Sequence, residues 1–249
     1  MNIKLTIEYD GTDYSGWQLQ PNGRTVQGVL EQALEKILGA KIRVAASGRT
    51  DAGVHALGQV AHFVHDGAVD LWRLQRALNG VTPPDVVIRG AEAAPDSFDP
   101  RRDARARRYR YRIWNAPWPA AIERRYSWHQ HDALDLSAME EAIRHLEGEH
   151  DFASFQAAGC DAAHAVRRID RNGFTRQGDL VLYDVEANAF LRHMVRNIVG
   201  TLAQIGRGER AASSIAGLLA AKDRTLAGPT APPQGLFLME VKYEEGMRR

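Results

Sequence analysis

The chain has 249 residues, of which 44% are hydrophobic and 25% charged; these are ordinary values for a soluble globular protein and exclude wholesale disorder and collagen-like repetition. No stretch approaches the roughly 18 uninterrupted apolar residues of a membrane span, and MNIKLTIEYDG alternates like a strand where a signal peptide has an apolar block, so a cytoplasmic protein with no membrane partner is expected. The single cysteine, Cys160, excludes intramolecular disulfides and thiolate metal clusters, and the net charge of +1 conceals a run from Arg101 to Arg112 with seven arginines against one acid, Asp103.

Residues 4–9 alternate Leu5, Ile7 and Tyr9 with Lys4, Thr6 and Glu8, the pattern of a half-buried strand ending at the turn Asp10-Gly11. Thr25 caps a helix whose Val26, Val29, Leu30, Ala33, Leu34, Ile37 and Leu38 keep helical spacing up to Gly39. Strands are expected at 42–46 and 59–64, separated by the polar, glycine-bearing loop SGRTDAGVH, then a helix at 69–79 and a strand at 86–88. The segment APDSFDP reads as a linker.

The pattern then restarts. RRYRYRIWN is a strand, 137–148 an amphipathic helix, and 166–174 with 180–187 a hairpin around Arg176, Gln177 and Gly178. A helix at 189–205 puts Leu191, Val195, Ile198, Leu202 and Ile205 on one face, and a short helix at 211–221, a Pro/Gly loop and a strand at 236–243 complete the chain. Strands with helices on one side, built twice, predict an α+β sandwich with halves at 1–100 and 101–249.

Several chemistries lack their motifs. There is no Walker loop, no GxSxG elbow, no HExxH and no glycine fingerprint between a strand and a helix. His129 and His131 are close in sequence, but no carboxylate stands at a spacing that completes a metal triad. The loop Ser47-Gly48-Arg49-Thr50-Asp51-Ala52-Gly53-Val54-His55 sets a cation, a carboxylate and a histidine between two core strands. It reads either as a turn in which Asp51 caps amides and Arg49 is solvated, or as a functional loop on a rigid scaffold. The stretch from Arg101 to Arg112, with Tyr109 and Tyr111 in it, is a cationic stripe carrying aromatic rings.

The loop SGRTDAGVHA resembles the signature of the TruA family of tRNA pseudouridine synthases, and YDGTDYSGWQ, RRYRYRIWN, DFASFQAAGC, FLRHMVRNIVGTL and APPQGLFL are similar to that family in the same order. The resemblance implies a pseudouridine synthase fold, in which two ferredoxin-like α/β sandwich halves with mainly antiparallel sheets flank a basic cleft. It implies isomerisation of uridine in the anticodon stem-loop of transfer RNA, at positions 38, 39 and 40, by a homodimer that needs no cofactor.

By the same resemblance Asp51 is the essential carboxylate, acting either as nucleophile at the ribose anomeric carbon or as a base on a ribose proton. An anion suits a step in which glycosidic cleavage develops positive charge on the sugar. Arg196 is the family's partner for it; on a helical wheel Arg192 and Arg196 are one turn apart at the border of the apolar stripe, where two solvated arginines would look the same. Tyr109 is the implied aromatic partner of the base, preferred over Tyr111 on the same strand face, and the flanking arginines argue for an exposed surface. Arg49 is implied to contact RNA and Leu236 to wall the pocket. Cys160 reads as a structural thiol.

A uridine stacked in a stem-loop must be flipped out to reach Asp51. The A-form stem presents phosphates and 2′-hydroxyls, which suits Arg101, Arg102, Arg105 and Arg107 as backbone contacts. Two other readings stand beside this one: a noncatalytic RNA-binding protein on the same scaffold, and a metal-dependent phosphoesterase using His129 and His131.

Overall fold

The computed structural model describes every residue except Asp161 and residues 245–249. In chain order the elements are β1 (Asn2–Tyr9), α1 (Val26–Leu38), β2 (Ala45–Ala46), β3 (His55–Val64), α2 (Leu71–Val81), β4 (Val86–Ala94), β5 (Ala106–Asn115), β6 (Trp128–Gln130), α3 (Leu136–Arg144), β7 (Gly148–Asp151), β8 (Val166–Gln177), β9 (Leu180–Ala187), α4 (Met194–Gly206), α5 (Ser214–Ala221) and β10 (Leu236–Lys242). Two compact units are formed, Met1–Arg105 with Phe237 onward, and Ala106–Leu236. Both mix helices with a largely antiparallel sheet, which is the α+β class expected.

In the first unit the sheet runs β4-β1-β3, and β3 is long enough to pair with two further strands, β2 opposite Ala61 and His62, and β10 in parallel at His55 and Ala56. Ile3, Leu5, Ile7 and Tyr9 are buried, whereas Lys4, Thr6 and Glu8 are only half buried, the period of two that the alternation predicts. Helix α1 begins where Thr25 accepts a hydrogen bond from the Gly28 amide and ends at Gly39, whose φ of 70° lets its N–H reach the Glu35 carbonyl. Its buried face is Val26, Leu30, Ala33 and Leu34; sequestering each large side chain contributes roughly 1.5–3 kcal/mol.

Two expectations for this unit change. The strand expected at 42–46 shrinks to β2, because side chains of α1 take the backbone of Val44: its N–H donates to Glu31 Oε1 at 3.0 Å and its carbonyl accepts from Gln27 Nε2 at 3.1 Å. The segment APDSFDP is no loose linker. Phe98 is buried, lies 5.3 Å from the Tyr243 ring, and its carbonyl, with that of Pro95, accepts from the Asn2 amide. Sequence therefore placed the boundary too early, and it placed the last strand in the wrong half, since β10 adds to β3.

In the second unit the order is β5-β9-β8-β7, antiparallel throughout, with β6 parallel to the far end of β5. Helix α3 stops at Arg144 rather than 148, because its last turn tightens to i→i−3 bonds from His145, Leu146 and Glu147 and Gly148 takes a φ of 89° to open β7. Helix α4 begins five residues later than expected. His193 sits at φ 61° and the Arg192 carbonyl accepts from the Ala157 amide at 3.0 Å, so neither continues a helix. Arg192 is thus outside the helix that carries Arg196. Among the described residues no helix is long and apolar enough to cross a membrane.

The chain after α5 lies directly on the backbone of α4. A Cβ on Gly200 would stand 1.7 Å from the Pro229 carbonyl oxygen, and one on Gly228 2.7 Å from Thr201 Cα. Gly200→Ala should therefore lower the unfolding free energy by about 1–3 kcal/mol in urea titrations. Gly217→Ala on α5, where nothing lies within 4 Å of the added carbon, should raise it by about 0.4–1 kcal/mol.

Candidate active site

Asp51 lies in the loop between β2 and β3, half buried, with Arg49 beside it exposed. The loop is held from both flanks. On the strand side Gln59 is fully buried; its Oε1 accepts from Ser47 Oγ at 2.8 Å and its Nε2 donates to the Gly48 carbonyl at 3.0 Å. On the β1 side the Tyr9 hydroxyl and Thr50 Oγ1 are 2.7 Å apart. Burial pushes the Tyr9 phenol up to about 12, with its bonds to Thr50 and Gln59 pulling back, so it stays neutral and serves as a clip.

The N-terminal segment GTDYSGW closes over the same loop. The Trp17 amide donates to the Thr50 carbonyl at 3.0 Å and the Gly53 amide to the Tyr14 carbonyl at 3.3 Å. These contacts need glycine: a Cβ on Gly11 would lie 2.0 Å from the Val54 carbonyl oxygen, and one on Gly16 2.7 Å from that of Thr50. Gly53 itself turns at φ 76°. Just past it His55 is buried, its ring stacks on Phe237 at 4.6 Å and its Nδ1 accepts from the Gly11 amide at 3.1 Å. The motifs YDGTDYSGWQ and SGRTDAGVHA thus form one interlocked structure that positions one carboxylate.

The second unit carries Tyr109, Arg196, Leu236 and Arg107. Tyr109 and Tyr111 share a face of β5 but differ in surroundings. Tyr111 is buried, donates its hydroxyl to the Pro232 carbonyl at 2.7 Å and lies edge-on to Trp128. Burial drives its phenol well above the ordinary tyrosine value, partly offset by the nearby Arg196 charge. Tyr109 is half buried and meets Phe190 in a T-shaped contact at 5.0 Å. Tyr111 is therefore core, and the expectation of an exposed surface fails for it: its flanking arginines are neutralised laterally, and the phenol reaches a carbonyl.

Arg196 is half buried on the first turn of α4. Its Nε donates to the Ala231 carbonyl at 2.8 Å, and the Ala231 amide donates back to the Arg196 carbonyl at 3.0 Å. A guanidinium anchored through Nε presents its terminal nitrogens as a fork in a fixed plane, the geometry that grips a carboxylate or phosphate. Leu236 is buried, one residue beyond Gly235, at which a Cβ would stand 2.7 Å from the Tyr111 ring. The structure therefore brings Tyr111, Arg196 and the segment Ala231–Leu236 together. Sequence reasoning missed the contributions of Tyr9, Gln59 and Ala231; a glutamine amid the apolar residues of β3 was the one signal available for them.

The arginine run is less cationic than its composition. Arg110 grips Asp184, its cross-strand partner on β9, through Nε at 3.0 Å and Nη2 at 2.9 Å. Arg112 pairs with Glu123 and Arg105 with Glu244. Arg102 pairs with Asp99 at 3.2 Å, whose carboxylate also accepts the amides of Arg101 and Arg102. Arg107 donates to the Asn188 carbonyl at 2.8 Å. Arg101, Arg102 and Arg105 are exposed.

His129 and His131 do not converge on a common site. His129 Nε2 lies 2.8 Å from the Ala116 carbonyl and His131 Nδ1 3.0 Å from Asp132. Among the described residues no group of three or more His, Cys, Asp or Glu side chains is arranged to hold a metal ion.

A family model described as tRNA pseudouridine synthase matches residues 5–101 and 142–244. Relatives include "tRNA pseudouridine synthase A" of Myxococcus xanthus, 50% identical over 98% of this chain and 92% of the relative. The protein of that name from Geotalea daltonii is 50% identical over 97% and 99%, and that of Geobacter sulfurreducens 47% over 97% and 99%. With an interlocked Asp51 loop in one unit, an anchored arginine in the other, and this identity along nearly the full length of both chains, the protein belongs to the tRNA pseudouridine synthase family and is an isomerase that modifies transfer RNA.

Proposed function

We propose that the enzyme converts uridine to pseudouridine in the anticodon stem-loop, at positions 38, 39 and 40, with Asp51 as the essential carboxylate and Arg196 acting with it. The observation that carries this reading is the double clamp on the Asp51 loop, by Gln59 and Ser47 on one flank and by Tyr9 and Thr50 on the other. Such a clamp has chemical sense only if the position of that carboxylate matters, because a solvated turn needs no buried glutamine.

The reaction requires the bond from the ribose anomeric carbon to uracil nitrogen 1 to break. The uracil then turns, and a bond to its carbon 5 forms with loss of the carbon 5 proton. Positive charge develops on the sugar as the first bond breaks, and a fixed anion stabilises it more than water would, since its orientation is settled before reaction. Tyr109 is read as the ring against which the extruded base stacks, and Leu236 as an apolar wall of its pocket. Arg49, Arg101, Arg102, Arg105 and Arg107 are read as contacts to RNA. The two units are read as the ferredoxin-like halves of the synthase fold, supported in the first by the strand order β4-β1-β3-β2. A cytoplasmic homodimer is carried over from the family resemblance.

Stem-loop RNA tritiated at uracil carbon 5 tests the chemistry. The wild type should release tritium with or without a chelator, Asp51→Ala should release none while retaining RNA affinity, and Arg196→Met should slow release by about 100- to 1,000-fold. Equal release by Asp51→Ala and wild type would refute the assignment of Asp51, and binding without release by the wild type would favour the noncatalytic RNA-binding reading.

Affinity for the same RNA should fall linearly on a log–log plot against salt. Replacing the exposed Arg49 by Gln should reduce that slope by about 1, whereas Arg110→Gln, which removes a charge already paired with Asp184, should leave it nearly unchanged.

A further inference from the structure

The segment Gly228–Ala231 lies along α4 from Thr201 back to Arg196, and a side chain from outside that helix holds it there. Arg224, in the single 3-10 turn Arg224–Leu226, donates through Nη1 to the Gly228 carbonyl at 2.9 Å. Through Nη2 it donates to Thr230 Oγ1 at 3.1 Å and to Asn197 Oδ1 at 3.0 Å. Thr230 Oγ1 donates in turn to the same Asn197 oxygen at 2.7 Å. Asn197 is fully buried next to Arg196 on α4, and its amide is fixed by the Phe155 carbonyl at 2.8 Å. The Gly228 amide closes the far end on Thr201 Oγ1 at 2.9 Å.

Every hydrogen-bond partner of Arg224 among the described residues is a neutral oxygen, and burial lowers its pKa from the usual arginine value. Arg224 is half buried, and its planar fork commits its donors to these oxygens in one fixed geometry where water could otherwise take them. What its bonds determine is the placement of the next residue after Thr230. That residue is Ala231, whose carbonyl receives Arg196 Nε and whose amide returns to the Arg196 carbonyl.

We infer that Arg224 is a positioning residue for the isomerisation: it holds the Gly228–Ala231 segment against α4, and through the Ala231 carbonyl it sets the plane in which the Arg196 guanidinium is presented. The inference rests on the reading of Arg196 given above. Removing the Arg224 fork frees the segment, Ala231 shifts, and the Arg196 fork turns away from its working plane. A misplacement of about 1 Å at a reacting centre costs on the order of 100-fold in rate without necessarily touching substrate affinity.

The experiment is single-turnover tritium release with stem-loop RNA, and separately the dissociation constant of that RNA, for full-length wild type, Arg224→Gln, Arg224→Lys, Thr230→Val, Arg196→Lys and the double variant Arg224→Gln/Arg196→Lys. Arg224→Gln should slow the chemical step by about 10- to 100-fold while RNA affinity changes less than about twofold. Arg224→Lys, which keeps one donor, should recover part of that loss, and Thr230→Val should lose less than Arg224→Gln. In the Arg196→Lys background, Arg224→Gln should add less than about a factor of two, because a residue acting through Arg196 has nothing left to position.

The same fold-loss in both backgrounds would mean that Arg224 only supports the fold and would overturn the inference, as would an unchanged rate in Arg224→Gln. An undiminished rate in Arg196→Lys alone would remove the reading of Arg196 and this inference with it, a result distinct from multiplying losses. Should Arg224→Gln not fold, Thr230→Val compared in the two Arg196 backgrounds decides by the same criterion.

Discussion

A glutamine with no solvent exposure in the middle of an apolar strand is the constraint on which the Asp51 loop depends. Leaving a buried amide without partners costs about 1–3 kcal/mol, so Gln59 must find donors and acceptors, and those within reach belong to Ser47, Gly48 and Tyr9. Satisfying it draws the first residues of the loop onto β3 and ties them to β1. The hydroxyls of Tyr9 and Thr50 then complete the contact one residue before Asp51. The amide that would be a defect in an ordinary core strand becomes the peg on which the carboxylate hangs.

Close backbone approach does the remaining work, and it explains why glycine recurs in the family-like motifs. Gly11 and Gly16 let GTDYSGW lie on the Asp51 loop, and Gly200, Gly228 and Gly235 let the chain after α5 lie on α4 and on the Tyr111 ring. In each case the added carbon of any other residue would meet an atom at 2.7 Å or less. Two loops distant in sequence are thereby held as rigidly as strands, which is how residues on irregular backbone acquire fixed geometry. The same device serves the carboxylate in one unit and the arginine in the other.

The arginine run shows how composition misleads. Read along the chain it is seven arginines against one acid, yet Asp184, Glu123, Glu244 and Asp99 each come to meet one of them. On β5 the reason is register: pairing with β9 sets Arg110 directly across from Asp184, and an opposite-charge pair there is favourable. Part of the stripe thus serves to hold β5 in its sheet.

Much was legible in the sequence. The alternation of residues 4–9, the cap at Thr25, the stop at Gly39 and the hairpin of β8 and β9 follow from local period and cap chemistry, which depend on neighbours a few residues away. The ordered motifs identified the family and singled out Asp51, Tyr109 and Arg196. Only tertiary structure decided the rest. Val44 lost its place in a strand to side chains of α1, α4 began at Met194 because Arg192 turned its carbonyl to Ala157, and β10 crossed to the first unit to pair with β3. Each of these depends on a hydrogen-bond partner many residues away, and pairing at that distance leaves no mark in local periodicity. For the same reason sequence could name a carboxylate and an arginine, but not the buried glutamine or the carbonyl of Ala231 that hold them.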